Sequence, residues 1–134
     1  MKTLQIGIAS YDQMKARTLA IVRGEYKPVR GEPTVWFPSV ESFAKVLSRR
    51  NQELLALIAR ENPGSLTELA RLAGREKSNL SRTLKTLARY GLVELETGLH
   101  GKLIPRILYD QVQLDVSLHS TPPHSPRLDA GPVG

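Results

Sequence analysis

The chain has 134 residues and no cysteine, which suits a single domain with an appendage and excludes disulfides, thiol catalysis and Cys-ligated zinc. Its net charge of +6 is unevenly placed: residues 1–38 carry +3, residues 39–91 carry +5 and residues 92–134 carry −2, so the middle of the chain is expected to meet a polyanion such as nucleic acid. No apolar run approaches the roughly 20 residues of a membrane-spanning helix, and "MKTLQIGIASYDQM" is too broken for a secretory signal, so a cytoplasmic protein without a membrane partner is expected.

In "TLQIGIAS", Leu4, Ile6 and Ile8 alternate with polar or small residues, and period two predicts a short strand. "SYDQMKARTLAIVRGE" predicts a helix. Ser10 and Gln13 have capping-box spacing, Met14, Leu19, Ile21 and Val22 supply its apolar surface, and Gly24 stops it. "YKPVRGEPTVWFPS" is extended, with one short strand at Thr34–Phe37 between Pro33 and Pro38. Ser39 is a candidate N-cap for "VESFAKVL", and "SRRNQELLALIAREN" continues as a second helix until Pro63-Gly64.

"SLTELARLAG" follows as a helix, with Ser65 and Glu68 at capping-box spacing and Leu66, Leu69, Ala70 and Ala73 as its buried stripe. "GREKSNLSRTLKTLARYGLV" then places Leu80, Leu84 and Leu87 at i, i+4 and i+7, which predicts another amphipathic helix. Leu92–Glu96 alternates as a strand, "TGLHGK" is a turn, and a second, longer strand runs from Leu103, with Pro105 marking an edge or a bulge. The last segment, "HSTPPHSPRLDAGPVG", has four prolines and little apolar pattern, so a disordered tail is expected over residues 117–134.

A capped helix over Ser65–Ala73, a tight turn at Gly74–Glu76 and a second helix over Lys77–Tyr90 make a helix-turn-helix. A preceding helix and a following two-stranded hairpin make it winged. The expected fold is therefore α+β, mainly α. A winged helix-turn-helix spans residues 39–116, after a strand-helix extension over residues 1–38. Ala70 is small where the two helices cross, and Gly74 can take the positive φ of a sharp turn.

With the leucine face buried, Lys77, Ser78, Asn79, Ser81, Arg82 and Lys85 point outward or sideways. These residue types read a major groove: Arg and Lys donate to guanine, Asn pairs with adenine, and Ser serves either. They occupy the N-terminal half of the helix, where such a helix meets bases and where its dipole favours phosphate. Arg75, Arg89 and Lys102 at the hairpin tip are expected to contact the DNA backbone, which positions without specifying. An ordinary three-helix bundle would also keep polar residues on an outer face. The full order of elements, rather than one helix, favours double-stranded DNA as partner. Glu76 stands where Ser or Thr often caps such a helix, and Ser78 is the alternative cap, which would move the start by two residues.

"SLTELARLAGREKSNLSRTLKTLARYGLVELETGLHGK" resembles the winged helix-turn-helix of MarR-type transcriptional regulators. The flanks "WFPSVESFAKVLSRRNQELLALI" and "PRILYDQVQLDV" resemble a group of short prokaryotic MarR-like predicted regulators, some of which are similar to antitoxins encoded beside a small ribonuclease-like toxin. The resemblance implies a sequence-specific transcriptional regulator, a homodimeric repressor of its own operon, with a small toxin protein as a further partner. The alternative it leaves is an interaction module that neutralises a toxin without significant DNA binding. The long C-terminal dimerisation helices of many MarR-type proteins are not expected here, so a dimer would use the N-terminal strand and helix, the strand after the wing, or both; the N-terminal extension over residues 1–38 is favoured, for dimerisation or partner binding.

No enzyme and no cofactor are expected. His100 sits in the turn, and His119 and His124 lie in the tail, so no nucleophile-and-base pair is set on rigid structure. No glycine loop of the phosphate-binding type occurs, and Trp36 beside Phe37 is expected to serve core or interface.

Overall fold

The computed structural model describes residues 2–118. His119, His124 and nearly all of the expected tail lie outside them. Among the described residues the chain forms five α-helices, a three-stranded sheet that contains a parallel pair, and a two-stranded antiparallel sheet, a mixed α+β architecture. It divides into two compact units. One comprises the segment up to Leu4 together with Glu41–Val112; the other comprises Gln5–Val40 and the segment from Gln113.

The second of these units carries most of a three-stranded sheet. Strands β1 (Thr3–Ile8), β2 (Val35–Phe37) and a later strand, Gln111–Asp115, lie in the order β2, β1, then Gln111–Asp115. Strands β1 and β2 are parallel, with Ile6 opposite Val35, Gly7 opposite Trp36 and Ile8 opposite Phe37. Gly7 is required by this pairing, because a Cβ there would overlap the Trp36 ring. Ile6 and Phe37 are fully buried. Between the two strands runs α1 (Tyr11–Val22), which starts with the full reciprocal capping box between Ser10 and Gln13. Its expected apolar face is only partly used. Ala20 is buried, whereas Leu19 and Val22 are exposed, Val22 by 76%.

Arg17 anchors the loop that follows. Its guanidinium pairs with Glu32 at 3.1 Å, both side chains being largely covered, and lies 5.5 Å from the Trp36 ring centroid and 5.9 Å from that of Tyr26. Arg is suited to this position because a planar, weakly hydrated cation can stack and pair at once.

In the first unit, α2 (Val40–Val46) leads to α3 (Arg49–Glu61), α4 (Leu66–Ala73) and α5 (Lys77–Arg89). Ser48 caps α3 by accepting from the Asn51 N–H, and Asn62 closes it in the left-handed region, a conformation Asn tolerates. Ser65 caps α4 by accepting from the Glu68 N–H. Only half of the expected capping box forms, because the Glu68 carboxylate accepts from the Gly64 N–H instead. The core is a leucine cluster: Leu54 and Ile58 from α3, Leu66 and Leu69 from α4, and Leu80, Leu84 and Leu87 from α5. Ala70 and Ala73 are half-buried rather than central.

Leu92 and Val93 are buried just before β3 (Glu94–Thr97), which starts two residues later than its alternation suggests. A single turn, Leu99–Gly101, then leads to β4 (Leu103–Arg106), antiparallel to β3. Pro105 is tolerated because β4 pairs along one edge alone. The expected long strand from Leu103 is in fact two: β4 ends at Arg106, and β5 (Gln111–Asp115) belongs to the other sheet. The break falls where the Asp110 N–H donates to the Lys2 carbonyl and the Asp110 carboxylate accepts from the Lys2 N–H.

Candidate nucleic-acid interface

The turn between α4 and α5 sets the candidate site. Gly74 has φ 65° and ψ 34°, the left-handed region that closes a helix. The N–H groups of Gly74 and Arg75 both donate to the Ala70 carbonyl, which satisfies groups that a helix end would otherwise strand. The chain then starts α5 at Lys77 with Glu76 in the cap position. This decides between the two starts considered: Ser78 lies inside the helix. Glu76 makes no side-chain cap bond, and no acid stands in the first turn.

That start is poor by local rules. The Glu76 charge favours the positive end of the dipole, but the Lys77 charge beside it opposes that, and a first turn without a side-chain cap leaves N–H groups free. The same features suit an anion, which would accept from those N–H groups and neutralise the cations. Along its whole length α5 carries Lys77, Arg82, Lys85 and Arg89 and no acid. The helix is held by Leu80, Leu84 and Leu87, each at 1% exposure or less, so its outer face is free to be chosen for something other than packing.

Lys77, Ser78, Asn79, Arg82 and Lys85 are exposed, and Ser81 is half-buried. Arg89 is exposed in the last turn, near the negative end of the helix dipole, and Lys102 is exposed beside the hairpin turn. Arg75 differs from the rest. It is half-buried, and its Nη2 donates to Asn79 Oδ1 at 2.9 Å and to Thr83 Oγ1 at 3.4 Å. Burial, and secondly the charge of Arg50, holds its pKa below the ordinary arginine value. Thr83 and Arg50 belong to this constellation although nothing in helical periodicity singles them out. The signal for Arg50 is the Arg49-Arg50 pair that opens α3, where acids would favour the dipole. A cleft of about 480 Å³ between α3 and the end of α4 has Arg50 and Arg75 among its lining residues.

The hairpin is braced against α3. Arg106 on β4 pairs with Glu96 on β3 at 3.2 Å and donates to Asn62 Oδ1 at 2.9 Å. His100 at the tip is left-handed, with φ 59°. Among the described residues no group of three His, Asp or Glu side chains is placed to hold a metal, and no helix is long and apolar enough to cross a membrane.

A family model named HVO_A0114 matches residues 46–114, just over half of the chain. The chain belongs to the HVO_A0114 family. The matched region contains α3, α4, α5 and the β3–β4 hairpin entire, and so every candidate contact residue. No curated protein and no solved structure matches the chain.

Proposed function

We propose that this HVO_A0114-family chain is a sequence-specific DNA-binding transcriptional regulator whose α3–α5 and β3–β4 segment acts as a winged helix-turn-helix of MarR-like type. The observation that carries this reading is the N-terminal half of α5. It joins a helix start with no side-chain cap bond to an exposed row of Lys77, Ser78, Asn79, Arg82 and Lys85 on a helix that carries no acid. A merely solvated helix gains nothing from leaving its first N–H groups without a side-chain cap. A helix that inserts its N-terminal end into a major groove gains phosphate and base-edge partners for these groups.

In this reading Arg82 and Asn79 meet base edges, and Ser78 and Ser81 serve either base or phosphate. Lys77, Lys85, Arg89 and the hairpin Lys102 neutralise phosphate. A homodimeric repressor would read two half-sites one helical turn apart, about 34–36 Å. The test is fluorescence anisotropy of the full chain with duplex DNA from directly upstream of its own coding sequence, against random duplex, across a salt series. Tighter binding to the upstream duplex, with affinity falling steeply as salt rises, is expected. Equal affinity for both at every salt concentration defeats sequence-specific regulation.

A further inference from the structure

A major groove is about 12 Å wide and a helix with its side chains is about 10–12 Å across, so a helix lying in the groove meets a phosphate wall on each flank. Residues three or four apart share a flank. One flank of α5 carries Lys77, Ser81 and Lys85, two of them cations. The other carries Asn79, Thr83 and Thr86, all neutral. On that neutral flank the cations come from outside the helix. Arg75 reaches it from the turn, with Nη2 donating to Asn79 Oδ1 at 2.9 Å and to Thr83 Oγ1 at 3.4 Å. Arg50, exposed in the first turn of α3, lines the same cleft of about 480 Å³ as Gly74 and Arg75.

Bringing these two guanidiniums together is unfavourable in the free protein. Burial, and then the Arg50 charge, opposes the Arg75 cation. Among the described residues no carboxylate forms an ion pair with either, although Glu53 lines the same cleft. Arg60, also in the lining, is by contrast paired with Glu61. A guanidinium has five N–H donors. Arg75 commits Nη2 to Asn79 and Thr83, and its Nε–H is buried, so its Nη1 donors are left for a partner. Two like charges held together without a carboxylate are what a bound phosphate would neutralise.

We propose that Arg50 and Arg75 form a clamp for one DNA phosphate on the second wall of the groove, which extends the interface from α5 and the hairpin onto α3. The inference rests on the DNA-binding reading and adds Arg50 to it. Lys77 and Lys85 meet the wall on their own flank, Arg75 and Arg50 meet the opposite one, and α5 is held between the two. Such a contact positions the helix and carries no base information. The bonds from Arg75 to Asn79 and Thr83 hold its guanidinium along the flank, so half of the clamp is set before DNA arrives.

The test uses the full chain and its Arg50→Ala, Arg75→Met and Arg60→Ala variants, with circular dichroism confirming that each is folded. Binding is read by fluorescence anisotropy with the upstream duplex and with random duplex across a salt series. Arg50→Ala should weaken both duplexes alike, by about tenfold at ~0.1 M salt, and lower the slope of log affinity against log salt by about one. Arg60→Ala should leave the slope unchanged. Replacing single phosphates of the upstream duplex by neutral methylphosphonate should find one position at which neither Arg50→Ala nor Arg75→Met weakens binding further. An unchanged slope in Arg50→Ala would overturn the clamp. An equal fall in Arg60→Ala would overturn it as well, because it is the signature of general surface charge. Two different methylphosphonate positions for Arg50 and Arg75 would show that they share no phosphate, with the same consequence. Absence of binding to any duplex by the native chain would remove the DNA-binding reading and the clamp together. Steep salt dependence in the native chain with an unchanged slope in Arg50→Ala would remove the clamp alone.

Discussion

Replacing Gly74 by alanine isolates the turn that joins α4 to α5. Gly74 sits at φ 65° and ψ 34°, and a Cβ built there meets no atom within 4 Å. No steric clash contributes, so the whole cost is the backbone conformation. An L-residue in the left-handed region costs about 1–2 kcal/mol, and the stiffer unfolded chain offsets about 0.4–1 kcal/mol of it. The expected net loss is therefore about 1 kcal/mol, or about 4–8 °C in melting temperature for a small domain. Guanidinium chloride unfolding of the full chain measures it, as a lower midpoint with an unchanged slope. Gly74→Asn should recover much of the loss, because asparagine tolerates this region. An alanine variant as stable as the native chain would refute the left-handed turn, and with it the placement of Arg75 against Asn79.

Arg82→Ala should cost about 1–3 kcal/mol of duplex binding and relax preference at one base pair, measured by competition with singly substituted duplexes. Lys85→Ala should weaken all duplexes alike and lower the slope of log affinity against log salt by about one. In the other unit, Arg17→Met leaves the largely covered Glu32 carboxylate without its partner and removes two ring contacts. A destabilisation of about 2 kcal/mol is expected, below the cost of breaking a fully buried pair, with partial recovery on adding Glu32→Gln; denaturant midpoints check both.

The elements that local chemistry specifies were legible in the sequence. Leu80, Leu84 and Leu87 define one helical stripe and are buried, and Ser10 and Gln13 form the box that their spacing predicts. What the sequence hid depends on distant partners. The parallel pairing of β1 with β2 has no local signature. The stretch after Leu103 continues its apolar character through Ile107 and Leu108, so nothing local marks the break that sends β5 to another sheet. Leu19 and Val22 satisfy helical spacing yet stay exposed, because periodicity gives a face but not what covers it. At the candidate site, periodicity identifies the outward residues of α5. The Arg75–Asn79–Thr83 bonds require the turn geometry as well, since Arg75 lies before the helix and reaches back over it.

The central claim is that the N-terminal half of α5 meets DNA. Backbone amide NMR of the full chain, titrated with duplex from directly upstream of its coding sequence, tests it residue by residue. The account predicts the largest shifts over residues 75–85, with a second set near Lys102 on the hairpin. Shifts centred instead on the β2-β1-β5 sheet, or none at saturating duplex, would contradict it.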